Sequence, residues 1–260
     1  MSDVSRHDAV LALLRDRPFV SVNELTSYFG VSPATIRRDI DKLSEAGSAQ
    51  KVYGGIAAIQ AEHRRRAIAL PFSDNRDIAV AAKRAIARAA SQLVRDGSII
   101  IVHAGSTCFH FGVEIASRSV RVVTHSMPLA GYLAEFGTCH VTVSGGDLHR
   151  EPGLLYDPSG FDPDVYASQF FVGALGVGPG GILESHPLLV RFVKEFADRT
   201  NEIVLLADSR KFEERPPLVA LPLSRLSHVV TDDGLKDSHA RMLEDNGVKF
   251  TIAEASKGVA

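Results

Sequence analysis

Residues 31–47 read VSPATIRRDIDKLSEAG, and what they fold into decides how the whole chain is understood. Ser32 can cap a helix, Pro33 suits its first position and Gly47 suits the residue just past its end, so the stretch predicts a helix of about three turns. Ile36, Ile40 and Leu43 recur at helical spacing and form one apolar stripe. Arg38 points away from that stripe, sharing the outer half with Ala34, Asp41, Lys42 and Glu45, while Arg37 and Thr35 lie on opposite flanks. Such a face is either a solvated surface whose arginines are neutralised by Asp39 and Asp41, or a helix that enters a DNA major groove. There its first turns meet base edges and arginine pairs bidentately with guanine.

The flanking sequence favours the groove. In RHDAVLALLRDR, Val10, Leu13 and Leu14 predict a first helix that Pro18 stops. In SVNELTSYFG, Ser21 or Asn23 can cap a second helix, Val22, Leu25 and Phe29 share one face, and Gly30 supplies the exit. The tight turn Gly30-Val31-Ser32 then makes a helix-turn-helix. Downstream, SAQKVYGGIAAI reads as two short strands around a glycine turn, a wing with Lys51 and Tyr53 placed to touch phosphates.

Taken together, RHDAVLALLRDRPFVSVNELTSYFGVSPATIRRDIDKLSEAG and KVYGGI resemble the N-terminal winged helix of the DeoR family of bacterial repressors of sugar catabolism. That family's signature runs S-x-x-T-[IV]-R-R-D-[IL]-x-x-L-x-x-x-G. The resemblance implies that Ser32, Thr35, Arg37 and Arg38 contact bases or phosphates of double-stranded operator DNA. Lys42, Lys51 and Tyr53 complete the expected DNA-binding set.

The chain has 260 residues, enough for a small module and a larger one with its own core. Its 45% hydrophobic and 23% charged residues describe an ordinary globular protein. Residues 1 to 66 carry 10 Lys+Arg against 8 Asp+Glu, the remainder 19 against 23, so a small basic excess sits at the front. Without a signal-peptide pattern or a long apolar run, a cytoplasmic protein away from membranes is expected. Cys108 and Cys139 suggest neither a disulfide framework nor a thiolate metal site.

The organisation expected is a DNA-binding domain over 1–56, a linker over 57–75 containing Arg64-Arg65-Arg66, and an α/β domain over 76–256. From Arg76 onward helical patterns alternate with apolar strands such as SIIIV, VRVVT, HVTVS, QFFVGALGV and EIVLLA. This alternation predicts a mostly parallel sheet covered on both faces. Ligands of such sheets bind where loops leave the carboxyl ends of strands. The loops there are HAGSTCF, THSMP, SGGDL and ADSRKF. They offer Gly105, Ser106 and Thr107, then Thr124, His125 and Ser126, then Gly145 and Gly146, then Asp208 and Lys211. Hydroxyls, amides, a carboxylate and an ammonium suit a sugar phosphate, with the phosphate at a helix start.

The order of these loops is similar to the DeoR family's C-terminal sensor domain, which shows D-x-G-[ST]-T, T-N-S, G-G, F-x-G-x-x-G and D-x-S-K-F in turn. The matching positions are Gly105-Ser106-Thr107, Thr124 and Ser126, Gly145-Gly146, Phe171 with Gly173 and Gly176, and Asp208, Ser209, Lys211 and Phe212. The resemblance implies a fold like that of ribose-5-phosphate isomerase, used for sensing, and adds Gly173 to the effector set. His103 stands where the family has an aspartate, His125 where it has an asparagine, and Arg210 intrudes before Lys211. The imidazoles remove an acceptor and point to a different effector.

His103, His125, His149 and His186 invite a metal, but no spacing fixes one, so neither metal nor cofactor is expected. The expectation is a transcriptional repressor, oligomeric on a symmetric operator, released by a phosphorylated sugar or related metabolite. Its rivals are a sugar-phosphate isomerase carrying a DNA-binding domain and a ligand-free architectural protein.

Overall fold

In the computed structural model the chain divides into two compact units, residues 1–65 and 66–260. Residues 3–16, 19–46, 48–52, 54–58, 72–150, 153–157 and 165–254 are described. Pro18, Gly47, Tyr53 and the Arg64-Arg65-Arg66 run lie outside them.

The first unit contains α1 (Asp3–Asp16), β1 (Phe19–Ser21), α2 (Val22–Phe29), α3 (Pro33–Glu45), β2 (Ala49–Val52) and β3 (Gly55–Ala58). Its strands form one antiparallel sheet in the order β1-β3-β2. Sequence reasoning saw only the β2–β3 hairpin, because three residues are too few to carry a period of two. Ser21 starts α2 with a capping box: its hydroxyl accepts from the Glu24 amide at 3.2 Å and the Glu24 carboxylate accepts from the Ser21 amide at 2.9 Å. Gly30 ends that helix in the left-handed region at φ 64°, which glycine adopts without strain. Ser32 caps α3 by accepting from the Thr35 amide at 3.2 Å. Val10, Leu14, Val20, Leu25, Ile36, Ile40, Leu43 and Ile56 form the core of this unit, each large side chain worth about 1.5–3 kcal/mol of burial.

The second unit runs α4 (Phe72–Arg76), α5 (Val80–Ser91), β4 (Ile99–Val102), α6 (Ser106–Glu114), β5 (Arg121–Thr124), α7 (Met127–Phe136), β6 (His140–Val143), β7 (Asp147–His149), β8 (Leu154–Tyr156) and β9 (Ala167–Val172). It continues through β10 (Gly176–Gly178), β11 (Gly181–Glu184), α8 (Pro187–Ala197), β12 (Thr200–Leu206), β13 (Leu218–Leu221), β14 (His228–Asp232), α9 (Asp237–Asp245) and β15 (Lys249–Ala253). A 3-10 turn, Ser209–Glu213, follows β12.

Seven strands form a wholly parallel sheet in the order β15-β14-β12-β9-β4-β5-β6. Alternate residues feed two cores. Ile101, Phe170, Val172 and Leu205 pack with Phe192 and Phe196 on one face, and Ile100, Val102, Phe171 and Val204 pack with Ile86 and Phe111 on the other. The chain places β4, β5 and β6 outward in one direction, returns to set β9 on the other side of β4, and continues outward through β12, β14 and β15. The order therefore reverses between β4 and β9, the place where open parallel sheets leave a crevice beyond the strand ends.

The expected single strand QFFVGALGV is two. β9 stops at Val172, Gly173–Leu175 lead away, and β10 joins a separate antiparallel sheet, β10-β11-β13, that the sequence reading did not contain. The glycines at Gly173, Gly176 and Gly178 mark the break.

Candidate functional site

On α3 the buried stripe is Ile36, Ile40 and Leu43, as the spacing predicts, and Arg37, Arg38 and Lys42 are exposed. Asp39 and Asp41 do not neutralise the arginines. Asp39 is buried and accepts from Arg6 Nε at 2.6 Å and Arg6 Nη2 at 3.0 Å, with His7 Nε2 3.0 Å away. Burial pushes the Asp39 carboxyl up, but Arg6 and His7 outweigh it and hold it below the usual carboxylate value. Asp41 pairs instead with Lys51 of the wing at 2.6 Å, both side chains being exposed. Arg37 and Arg38 have no partner among the described residues, so their guanidinium groups are open to an outside acceptor. Ser32 and Thr35 stand at the start of the same helix with their hydroxyls 2.9 Å apart.

In the second unit a pocket opens at the strand-order reversal. It is lined by His103–Cys108 beyond β4 and Gly173–Leu175 beyond β9, together with Asn75, Glu184, Leu189 and Lys211. Gly105, at φ 123°, is the N-cap of α6 and provides no side-chain cap, so the first-turn amides beside Ser106 and Thr107 are left for another acceptor. A helix start of this kind attracts an anion through its free N–H groups and its dipole. Lys211 comes from the 3-10 turn after β12, fixed by Asp232, which accepts from the Ser209 amide at 2.6 Å and the Ser209 hydroxyl at 2.9 Å.

Burial shifts the titration of several groups that line the pocket, His103, Cys108, Glu184 and Lys211, and of two that do not, His125 and Lys83. His103 is 3% exposed, and neither ring nitrogen has a hydrogen-bond partner; burial pushes its pKa down to about 4. It is therefore a neutral imidazole at neutral pH, able to donate one hydrogen bond and accept another. Behind it, ring centroids 4.8 Å apart, His125 accepts from the Ala104 amide at 3.0 Å and is held well below its ordinary pKa by burial. Lys83 is fully buried on α5 and donates to the Asn75 carbonyl; burial lowers its pKa to about 8 against the pull of Asp208. Burial likewise lowers Lys211, while it raises Glu184 to about 7. The Cys108 thiol is pushed by burial up to about 12, so it stays protonated.

Of the expected effector residues, His103, Gly105, Ser106, Thr107, Gly173 and Lys211 line this one pocket. The others stand behind or beside it. The Thr124 hydroxyl donates to the Val102 carbonyl at 2.7 Å and accepts from the Ser126 amide, and Ser126 caps α7. Gly145 and Gly146 lie in the turn from β6 to β7. Asp208 is fully buried, with its oxygens 2.7 and 3.0 Å from Arg210 Nε and Nη2. Asn75, Lys83 and Glu184 were missed. The sequence did carry a signal for Lys83, which stands at helical spacing from Ile86, Ala87 and Ala90 and so falls on an apolar stripe. Glu184 closes the apolar run Gly181-Ile182-Leu183, which reads as an ordinary strand end.

Among the described residues no three metal-ligating side chains come together; His149 and His186 pair with ring centroids 5.1 Å apart. No helix among them is long and apolar enough to cross a membrane.

A winged helix with an arginine-bearing third helix, followed by an α/β unit with a polar pocket at the switch of its sheet, defines a DNA-binding transcriptional regulator with a small-molecule sensor. Residues 6–62 match the DeoR-like helix-turn-helix domain and residues 78–233 match the DeoR C-terminal sensor domain. The chain is 31% identical over 252 residues to the HTH-type transcriptional regulator UlaR of Escherichia coli (strain K12 / DH10B), covering 96% of this chain and 99% of that one. The regulator of the same name from Shigella dysenteriae serotype 1 (strain Sd197) matches over the same lengths at 31%. The chain belongs to the DeoR family. Among solved structures, ribose 5-phosphate isomerase A from Neisseria gonorrhoeae overlays with a TM-score of 0.36 at 18% identity, covering 51% of this chain and 53% of that one.

Proposed function

We propose that this regulator represses a carbohydrate-catabolism operon and is released when a phosphorylated sugar, or a related small metabolite, occupies the pocket of the second unit. The observation that carries this reading is the convergence of the uncapped α6 start, the Lys211 ammonium and the unpartnered His103 imidazole on one crevice. The amides and Lys211 suit a phosphate, and neutral His103 suits a hydroxyl or carbonyl oxygen of the sugar.

In the first unit, Arg37 and Arg38 read or grip the operator from the α3 surface, with Ser32, Thr35 and Lys42 beside them. Lys51 exchanges Asp41 for a phosphate on binding, a small cost for an exposed pair. A symmetric operator calls for at least a dimer, and the protein acts in the cytoplasm. The unit of residues 1–65 serves as the DNA-binding domain and that of residues 66–260 as the sensor, so the boundaries at 56 and 76 expected from the sequence cut into β3 and α4.

Sensing is favoured over isomerisation because the chain matches transcriptional regulators along 96% of its length and Asp208, the carboxylate that the loops offered for handling protons, is committed to Arg210 outside the pocket; Glu184 does line the pocket, so turnover is assayed together with binding. The test is fluorescence anisotropy of the full chain on DNA from upstream of its own gene, with and without a panel of sugar phosphates, and with each effective compound analysed afterwards. Release by a compound recovered unchanged supports the reading; turnover of that compound, or tight DNA binding indifferent to the whole panel, sinks it.

A further inference from the structure

Glu184 is 5% exposed at the end of β11 and lines the same pocket as Lys211, His103 and the α6 start. The charged groups around it are few. The strands paired with β11, β10 and β13, carry no ionisable side chain. On α8, Arg191 and Glu195 pair with each other and Lys194 is exposed. Arg225 engages Asp198, and His186 is exposed and accepts the Leu188 amide. His103 is neutral. Lys211 is thus the ion that acts on Glu184, and Lys211 is itself acted on by Asp208, Arg210, Glu214 and Glu184.

What can bind is set by the charges around Lys211. Asp208, Arg210, Glu214 and Glu184 act on it, while Asp208, Arg210, Lys211 and Asp77 act on Lys83. Of these carboxyls Glu184 is the one that lines the pocket, so its protonation removes a negative charge at the site itself, and an ionised carboxylate buried against a dianion would be repelled by it.

On the reading of this pocket as the anion-binding effector site, we infer that Glu184 takes up a proton when a dianion binds beside Lys211, so that effector occupancy and pH are read together. The carboxyl is prepared for this step: burial holds its pKa at about 7, and Lys211 is the charge that keeps it from rising further. A bound dianion turns Lys211 toward itself electrostatically, and the proton joins the Glu184 carboxylate from solvent.

The test uses sulfate, a dianion with no titration of its own near neutrality, so that any proton taken up belongs to the protein. The full chain is titrated with sulfate by calorimetry in two buffers of different ionisation enthalpy from about pH 6.5 to 9, alongside Glu184→Gln and Lys211→Met. The wild type is expected to take up as much as one proton per sulfate at about pH 8, with Kd rising up to tenfold per pH unit above about 7. E184Q keeps saturable binding without that slope, and K211M loses it. Saturable wild-type binding with no proton uptake overturns the inference while leaving the anion site standing. A slope unchanged in E184Q assigns the proton to Lys83 or Lys211 and overturns it as well. No saturable binding in either wild type or E184Q removes the anion-site reading and the inference with it. If E184Q fails to fold, absence of proton uptake by the wild type still overturns the inference, and Glu184→Asp takes its place: a pH dependence of uptake shifted in that variant assigns the proton to residue 184, and an unshifted one overturns the inference.

Discussion

Two adjacent residues of α3 do opposite work. Arg38 is exposed and without a partner among the described residues, whereas Asp39 is buried and tied to Arg6 and His7. Arg38→Ala should leave thermal stability within about 0.5 kcal/mol and weaken operator binding by about 1–3 kcal/mol with relaxed specificity if the side chain reads a base. Competition binding against operator and scrambled DNA checks this; an equal loss on both makes Arg38 a phosphate contact. Asp39→Ala should instead destabilise the first unit by about 3 kcal/mol, because it removes the buried carboxylate that accepts two hydrogen bonds from the Arg6 guanidinium. Urea unfolding measures that loss, and a stability equal to wild type would show the pair to be dispensable. The spacing of the sequence showed which way Arg38 points. It could not show that Asp39 is internal, since its partners, Arg6 and His7, lie 33 and 32 positions away on another helix.

At the scale of elements, what the sequence made legible was whatever repeats or caps locally. Ser32, Gly30 and the Ile36, Ile40, Leu43 stripe carry their own signals, and the structure has them where they were expected. The parallel strands were legible as apolar runs. The antiparallel β10-β11-β13 sheet was not, because its strands are short, β10 and β11 carry glycine, and β11 finds β13 only across some forty positions. Glu184 was lost with it, although it stands in the pocket. The α6 start also yields a prediction. A methyl group at Gly105 meets nothing within 4 Å, but φ is +123° there, so Gly105→Ala carries only backbone strain, about 1–3 kcal/mol. Relief of that strain would turn the α6 amides away from the pocket. The expected outcome is operator binding close to wild type with response to the effector lost, checked by anisotropy with and without the releasing compound; an unimpaired response would place the anion elsewhere.

Over the whole molecule, buried titratable groups oppose one another. His103 has its pKa lowered to about 4, so between about 6.5 and 4 the unfolded chain binds a proton that the folded chain refuses, and stability falls as pH drops. Glu184 is raised to about 7, so between about 4.5 and 7 the folded chain keeps a proton that the unfolded chain releases, and stability falls as pH climbs. Each slope is about 1.4 kcal/mol per pH unit and they nearly cancel where the windows overlap. Glu184→Gln should therefore steepen acid destabilisation from pH 6.5 to 4.5, measured by melting temperature; a curve parallel to wild type would mean that the carboxyl is not protonated in the folded state.

The reversal of strand order between β4 and β9 carries one more consequence, this time for synthesis. Ser168 on β9 bonds to the Ile99 carbonyl on β4 across 69 positions of chain, and Lys211 arrives only after β12 has been laid beside β9. A ribosome-bound chain can finish its first unit, whose contacts all close within residues 1–65, long before those late segments emerge. The DNA-contacting unit of the nascent protein is thus complete before its sensor pocket exists, and on the proposed function the chain stays deaf to its effector until β12 and the turn after it are in place.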